Sequence, residues 1–165
     1  MSNTEETAMI SEHARALGNG IEIPYVGFGT YLIPDAEAEV VVDQAIRLGS
    51  RHIDTAEVYK NEAGVGAGIK RALHRDGLTR GDLFVTTKLW PGNSAWGETP
   101  KTTATTIVSL EESLSRLGLD DVDLYLIHAT FDAEQRLAQW RGLVTLYQRR
   151  ERSRFEKAMS GFSRT

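Results

Sequence analysis

Cysteine is absent from the 165-residue sequence, which excludes disulfides, thiolate metal sites and a cysteine nucleophile. Long apolar runs are also missing. Charged residues interrupt every hydrophobic stretch well before the roughly 20 residues that a membrane-spanning helix needs. The first ten residues, MSNTEETAMI, have neither a basic start nor an apolar segment, so no secretory signal and a cytoplasmic location are expected. No large excess of one charge sign is present, and a net charge of -4 argues against broad nucleic-acid binding. What remains is ordinary: 41% apolar, 25% charged and 8% aromatic residues, the composition of a globular domain with a sizeable core.

The small net charge conceals an asymmetry. Residues 134–165 hold eight Lys/Arg against three Asp/Glu, whereas residues 1–133 hold eleven against twenty. The basic run is densest at Arg149, Arg150, Arg152, Arg154 and Lys157. No aromatic interleaving or binding motif accompanies it, so it reads as a solvated helix face or a weakly specified end rather than an anion-binding patch.

Hydrophobic periodicity gives the order of elements. Asn19-Gly20 between short apolar stretches predicts a hairpin, and Tyr25–Gly29 a strand. Pro34-Asp35 opens a helix through Ala38, Val41, Val42, Ala45, Ile46 and Leu48, stopped by Gly49. Arg51–Thr55 reads as a strand. Asn61–Leu73 reads as a helix that Gly64, Gly66 and Gly68 should weaken by about 1 kcal/mol each. Leu83–Leu89 is a buried strand, and Thr99-Pro100 an N-cap and first-turn pair starting a helix that ends at Leu117. Val122–Ile127 is a further strand. Glu134–Arg150 is a helix with Leu137, Trp140, Leu143, Val144 and Tyr147 on one stripe. After it, Phe155, Met159 and Phe162 leave room for a fifth strand. A hairpin followed by four alternating strand–helix units implies a parallel sheet with helical crossovers.

In such folds the reactive groups collect at the carboxyl ends of the strands. Asp54, Lys88 and His128 stand at three successive strand ends, and Tyr59 follows Asp54 by five residues. Each has a plain alternative: helix cap, surface lysine, satisfied core histidine, loop aromatic. As a set they suit carbonyl reduction. A free tyrosine ionises near pH ~10 and is a poor proton donor at neutral pH. A lysine cation beside it favours the phenolate, and a carboxylate keeps that lysine charged and placed. A histidine orients the substrate oxygen. The protein holds no hydride donor of its own, so a reduced cofactor is required.

These residues lie in segments that resemble the aldo-keto reductase family. Gly49-Ser50-Arg51-His52-Ile53-Asp54-Thr55-Ala56, with Tyr59, Asn61-Glu62 and Val65-Gly66, is similar to its first signature, departing at Ser50, where an aromatic is usual. Gly27-Phe28-Gly29-Thr30 is similar to its first strand and loop. Leu83–Trp90 resembles the strand of its catalytic lysine, and Asp123–His128 that of its catalytic histidine. The resemblance implies Tyr59 as general acid, Lys88 and Asp54 as the pair that tunes it, and His128 as the carbonyl-orienting residue. It implies NADPH as cofactor, with Gly29, Thr30 and Asp54 at the nicotinamide end, and Tyr31 and Trp90 lining a pocket for a small carbonyl substrate. No metal, nucleic-acid or membrane partner is expected. The glycines at 64, 66 and 68 lie inside a helix and are no dinucleotide fingerprint.

The departures shape the remaining expectations. Ala129-Thr130 follows His128 where the family has Trp-Pro. Met159-Ser160-Gly161-Phe162-Ser163 only echoes the motif that holds the nicotinamide amide, and no motif for the adenosine 2′-phosphate follows. A full (β/α)8 barrel takes about 250 residues. The expected fold is therefore α/β, an incomplete (β/α)8 TIM barrel: a polar segment at 1–16, a partial barrel at 17–148 and a divergent basic tail at 149–165. Two functional readings follow. One is an NADPH-dependent carbonyl reductase. The other is a catalytically inactive truncated fragment or pseudoenzyme, lacking most of the cofactor site, that acts through association at its open sheet edges or as a regulatory or binding subunit.

Overall fold

The computed structural model describes residues 14–17 and 20–162, with only the backbone described at residue 76 and residues 150–162. It divides into two compact units, one holding residues up to Lys88 together with Ser113–Leu126, the other Leu89–Glu112 and residues from Ile127 onward.

The first unit opens with a hairpin. β1 (Ala14–Ala16) and β2 (Glu22–Pro24) pair antiparallel, and Gly20 adopts φ +77° in the turn. Asn19 of the expected hairpin turn lies outside the described residues. Four parallel strands follow in sequence order: β3 (Phe28–Gly29), β4 (His52–Asp54), β5 (Phe84–Leu89) and β6 (Leu124–Ile127). β3 is shorter than the Tyr25–Gly29 expected, since Tyr25 and Val26 are exposed and find no strand partner. β4 and β6 are likewise trimmed at their ends relative to Arg51–Thr55 and Val122–Ile127.

Helix α1 (Asp35–Arg47) and helix α2 (Glu62–Asp76) pack against each other through small residues. The expectation that three glycines weaken α2 misses what they do. A Cβ at Gly64 would fall 2.9 Å from the Ala38 methyl, and one at Gly68 would fall 2.9 Å from the Cβ of Val42. Gly66 meets the carboxyl end of helix α3 (Thr103–Leu117), where a Cβ would collide with the Leu117 carbonyl. The propensity lost inside the helix is outweighed by contact: Val42, Ile46, Val65 and Ile69 are buried around these seams, each contributing about 1.5–3 kcal/mol. Arg75 adds an ion pair to Asp43 of α1 at 2.5 Å. Gly77, at φ +65°, ends α2 three residues beyond the expected Leu73.

Helix α3 starts three residues after the Thr99-Pro100 pair. The intervening segment closes as a loop, with the Lys101 amide donating to the Pro91 carbonyl at 2.9 Å. Thr102 and Thr105 then cap the helix reciprocally: the Thr105 amide donates to the Thr102 hydroxyl, and the Thr102 amide to the Thr105 hydroxyl.

In the second unit, helix α4 (Ala133–Phe162) begins where Asp132 accepts the amides of Glu134 and Gln135, both at 2.9 Å. It continues past Arg150 to Phe162, so the room left for a fifth strand is filled by helix. The expected apolar stripe is not its packed side. Leu137, Trp140, Val144 and Tyr147 are exposed, while Gln139 is buried and donates to the Pro91 carbonyl. The Thr103 hydroxyl donates to the Ala138 carbonyl, and Gly142 lets Thr106 approach. The packed side of α4 is thus chosen by a small residue and two hydrogen bonds rather than by hydrophobicity.

The glycine seam makes a sharp prediction. Gly66→Ala should lower stability by about 1–3 kcal/mol, because backbone rather than a flexible side chain must move. A urea midpoint equal to wild type would contradict the packing described.

Candidate active site

Strand register places the site. Gly29 pairs with Asp54, and Asp54 with Thr86. Side chains alternate along a strand, so His52, Asp54, Phe84, Thr86 and Lys88 share one face and Ile53, Val85 and Thr87 the other. The second face turns to the helices: Ile53 and Val85 are fully buried, and the Thr87 hydroxyl donates to Glu62 of α2 at 2.7 Å. Glu62, 1% exposed, is balanced by Arg116 of α3 at 2.8 Å. Sequence reading gave neither residue a role.

The first face has two levels. Toward the amino ends of the strands, His52 Nε2 lies 2.9 Å from the Thr86 hydroxyl, and the ring sits edge-on to Phe84. Gly27 leaves the room this ring occupies, since a Cβ there would fall 2.6 Å from Nδ1. At the carboxyl ends, Lys88 Nζ donates to Asp54 Oδ1 at 2.5 Å and to the Thr55 carbonyl at 3.0 Å. The same ammonium lies 5.1 Å from the centre of the Tyr59 ring. Tyr59 is delivered by a short 3₁₀ turn, Glu57–Tyr59, that ends with Lys60 in the left-handed region at φ 59°. Tyr31 packs on Tyr59 with ring centres 5.1 Å apart and is 65% exposed.

The structure therefore brings Asp54, Tyr59, Lys88 and Tyr31 together. His128 belongs to the second unit, where its amide donates to the Leu89 carbonyl at 3.0 Å and its ring lies 5.9 Å from Trp90. Trp90 donates to Glu98 at 2.8 Å and stacks with Trp96, and both rings meet Phe131 edge-on.

Of the three residues expected at a nicotinamide, two fit one. Gly29 faces open space where a side chain would begin, and the Asp54 side chain beside it is 30% exposed, so a flat ring has room at that edge. Thr30 offers no side chain to a cofactor. It is fully buried, with its hydroxyl and its amide both donating to the Asp54 carbonyl, at 3.2 and 2.9 Å.

Two further residues complete the arrangement. Asn61 stands at the N-cap of α2, yet its side chain makes no cap bond, forgoing about 1 kcal/mol. Its Nδ2 instead donates to the carbonyls of Thr30 and Ile33 at 2.8 and 2.9 Å, and its Oδ1 accepts from the Thr55 hydroxyl at 3.1 Å. Between Thr30 and Ile33 sits Leu32 at φ 61°, a left-handed conformation that costs a non-glycine residue roughly 1–2 kcal/mol. Periodicity reveals nothing of this, because it reports faces and not which amide reaches which carbonyl.

The family profile for the Aldo/keto reductase family matches residues 26–149, well over half the sequence. The chain belongs to the aldo/keto reductase family. It is 42% identical over 132 residues to glyoxal reductase of Bacillus subtilis, covering 79% of this chain and 44% of that protein. An aldo/keto reductase from Brucella melitensis superposes with a TM-score of 0.72 at 37% identity, over 82% of this chain and 49% of that one. A Bombyx mori aldo-keto reductase solved in complex with NADP gives 0.70 at 35% identity, over 82% and 46%. The chain thus spans about half the length of the relatives it matches, and its hairpin and four parallel strands form an incomplete barrel of the aldo/keto reductase type. Among the described residues, no helix is long and apolar enough to cross a membrane.

The same face of the sheet also carries a pH signature. Burial lowers the His52 pKa below its ordinary 6.5, outweighing the nearby Asp54 carboxylate, which raises it. The unfolded chain then takes up the proton more readily than the folded one. His52 therefore contributes stability that is present above pH 6.5 and is lost as pH falls below it. The urea midpoint of wild type should drop on acidification through that range, and His52→Gln should remove part of the drop. Identical pH profiles for the two proteins would rule out this contribution.

Proposed function

We propose that this chain carries the proton-donating machinery of an NADPH-dependent carbonyl reductase that converts small aldehydes or ketones to alcohols. The observation that carries the reading is the position of the Lys88 ammonium, paired to Asp54 at 2.5 Å and 5.1 Å from the centre of the Tyr59 ring. A phenol, a lysine and a carboxylate in that order suit the transfer of a proton to a carbonyl oxygen. The glyoxal reductase relative favours small aldehydes as substrates.

Tyr59 gives its phenolic proton to the carbonyl oxygen as negative charge develops there. The Lys88 ammonium stabilises the phenolate left behind, and Asp54 and the Thr55 carbonyl hold that ammonium in place. NADPH, when bound, supplies the hydride that adds to the carbonyl carbon. Gly29 and Asp54 border the space for its nicotinamide. Tyr31, which packs on Tyr59, lines the substrate's approach. The carbon gains hydride and the oxygen gains the tyrosine proton, so the product is the alcohol.

The test is oxidation of NADPH by purified protein with a nitrobenzaldehyde, followed at 340 nm as the cofactor is consumed. Tyr59→Phe should lower the rate about a hundred- to ten-thousandfold, the usual contribution of a general acid. Absence of NADPH binding by calorimetry would overturn the reading for this chain. Lys88→Met should also slow reduction with Tyr59 intact; a rate equal to wild type would remove Lys88 from the mechanism.

A further inference from the structure

We propose that Asn61 is a positioning residue of the reductase site, the tie that holds the Tyr31 loop and the lysine-binding backbone of Thr55 in one arrangement around Tyr59. The proposal rests on the assignment of Tyr59 and Lys88 given above, and goes beyond it in naming what holds them.

Four observations carry it. Asn61 is fully buried, so each of its polar side-chain atoms must find a partner within the protein. It occupies a helix N-cap, where an asparagine ordinarily bonds its own helix, and it does not. Its amide nitrogen grips both ends of the turn that contains the left-handed Leu32, through the Thr30 and Ile33 carbonyls. Its amide oxygen takes the hydroxyl of Thr55, whose carbonyl receives Lys88.

The consequences follow residue by residue. Tyr31 is adjacent to Thr30, so fixing that carbonyl fixes where the Tyr31 ring meets Tyr59. Tyr59 lies two residues before Asn61, joined to it by Lys60 in a left-handed conformation. Lys88 is anchored to Thr55 and Asp54, and Asn61 holds Thr55 through its hydroxyl. One side chain thus ties the Tyr59–Asn61 segment that carries it both to nearby Thr55 and to residues 30–33, about 30 positions away in sequence. An aspartate would retain the acceptor for Thr55 but would direct a second oxygen at two carbonyls. An alanine would release both sides.

The experiment compares Asn61→Ala and Asn61→Asp with wild type and with Ile46→Val, a core change remote from the site. Two readouts are used: NMR of ring-labelled tyrosine, assigned with Tyr59→Phe and Tyr31→Phe, and steady-state reduction of a nitrobenzaldehyde. Both Asn61 variants should lose the ring-to-ring contact between Tyr31 and Tyr59 and shift the Tyr59 ring signals. Ile46→Val should leave those signals in place even where its melting temperature falls as far. In turnover the Asn61 variants should lose at least about tenfold in kcat with KM within about twofold, the pattern of misplaced rather than missing groups. Unchanged Tyr59 signals in folded Asn61→Ala would overturn the proposal, leaving Asn61 a contributor to stability only. Shifted signals in a protein whose wild type reduces no carbonyl would uphold the positioning role and sink the reductase reading instead.

Discussion

The parallel register that sets Gly29, Asp54 and Thr86 side by side is the constraint from which the site follows. A slip of one residue between β4 and β5 would exchange the two faces of the sheet. Lys88 would turn toward the helices and Thr87 toward Asp54. The register is held from the helix side, where Thr87 donates to a Glu62 that is almost fully buried and balanced by Arg116. A slipped pairing would take the Thr87 hydroxyl away from that buried carboxylate, and a hydrogen bond to a charged group contributes about 1.5–3 kcal/mol. The chemistry on one face of the sheet is thus supported by a buried hydrogen bond on the other.

Small residues set the remaining distances. Gly64 and Gly68 bring α1 and α2 together, Gly66 admits the end of α3, and Gly27 admits the imidazole of His52. In each case the gain comes from what the missing side chain allows its neighbour to do. Helix propensity, a local quantity, predicts the wrong sign for α2 because it counts only the entropy of the chain. Close contact between helices is a tertiary quantity, and here it outweighs the local one.

This distinction accounts for what the sequence reveals. The alternation of strands and helices, the parallel sheet and the placing of Asp54 and Lys88 at strand ends are all consequences of periodicity, and periodicity is visible in a single sequence. The late start of α3 and the packed side of α4 are not. Thr99-Pro100 satisfies every local rule for a helix start, but Thr102 and Thr105 form the better reciprocal cap. Leu137 and Trp140 have the spacing of a buried stripe, yet Gln139 and Gly142 face the neighbouring segment because a backbone carbonyl and a close approach await them there. Asn61 is the extreme case. It sits at a helix start as the local rules would place it, and its side chain is committed elsewhere.

The same contrast explains why the two levels of the inner face differ. His52 lies half-buried beside Phe84 and Thr86, where burial disfavours its charged form. Asp54 and Lys88, one level further along the same strands, form a pair whose members are each still partly exposed. The sheet thus passes within two residues from a layer where burial disfavours a charged imidazole to one that keeps an ion pair. Neither level requires a different fold from the other. Residues of period two, read along two adjacent strands, place neutral packing at one end and charge at the other, and the charged end is the one that the Tyr59 turn reaches.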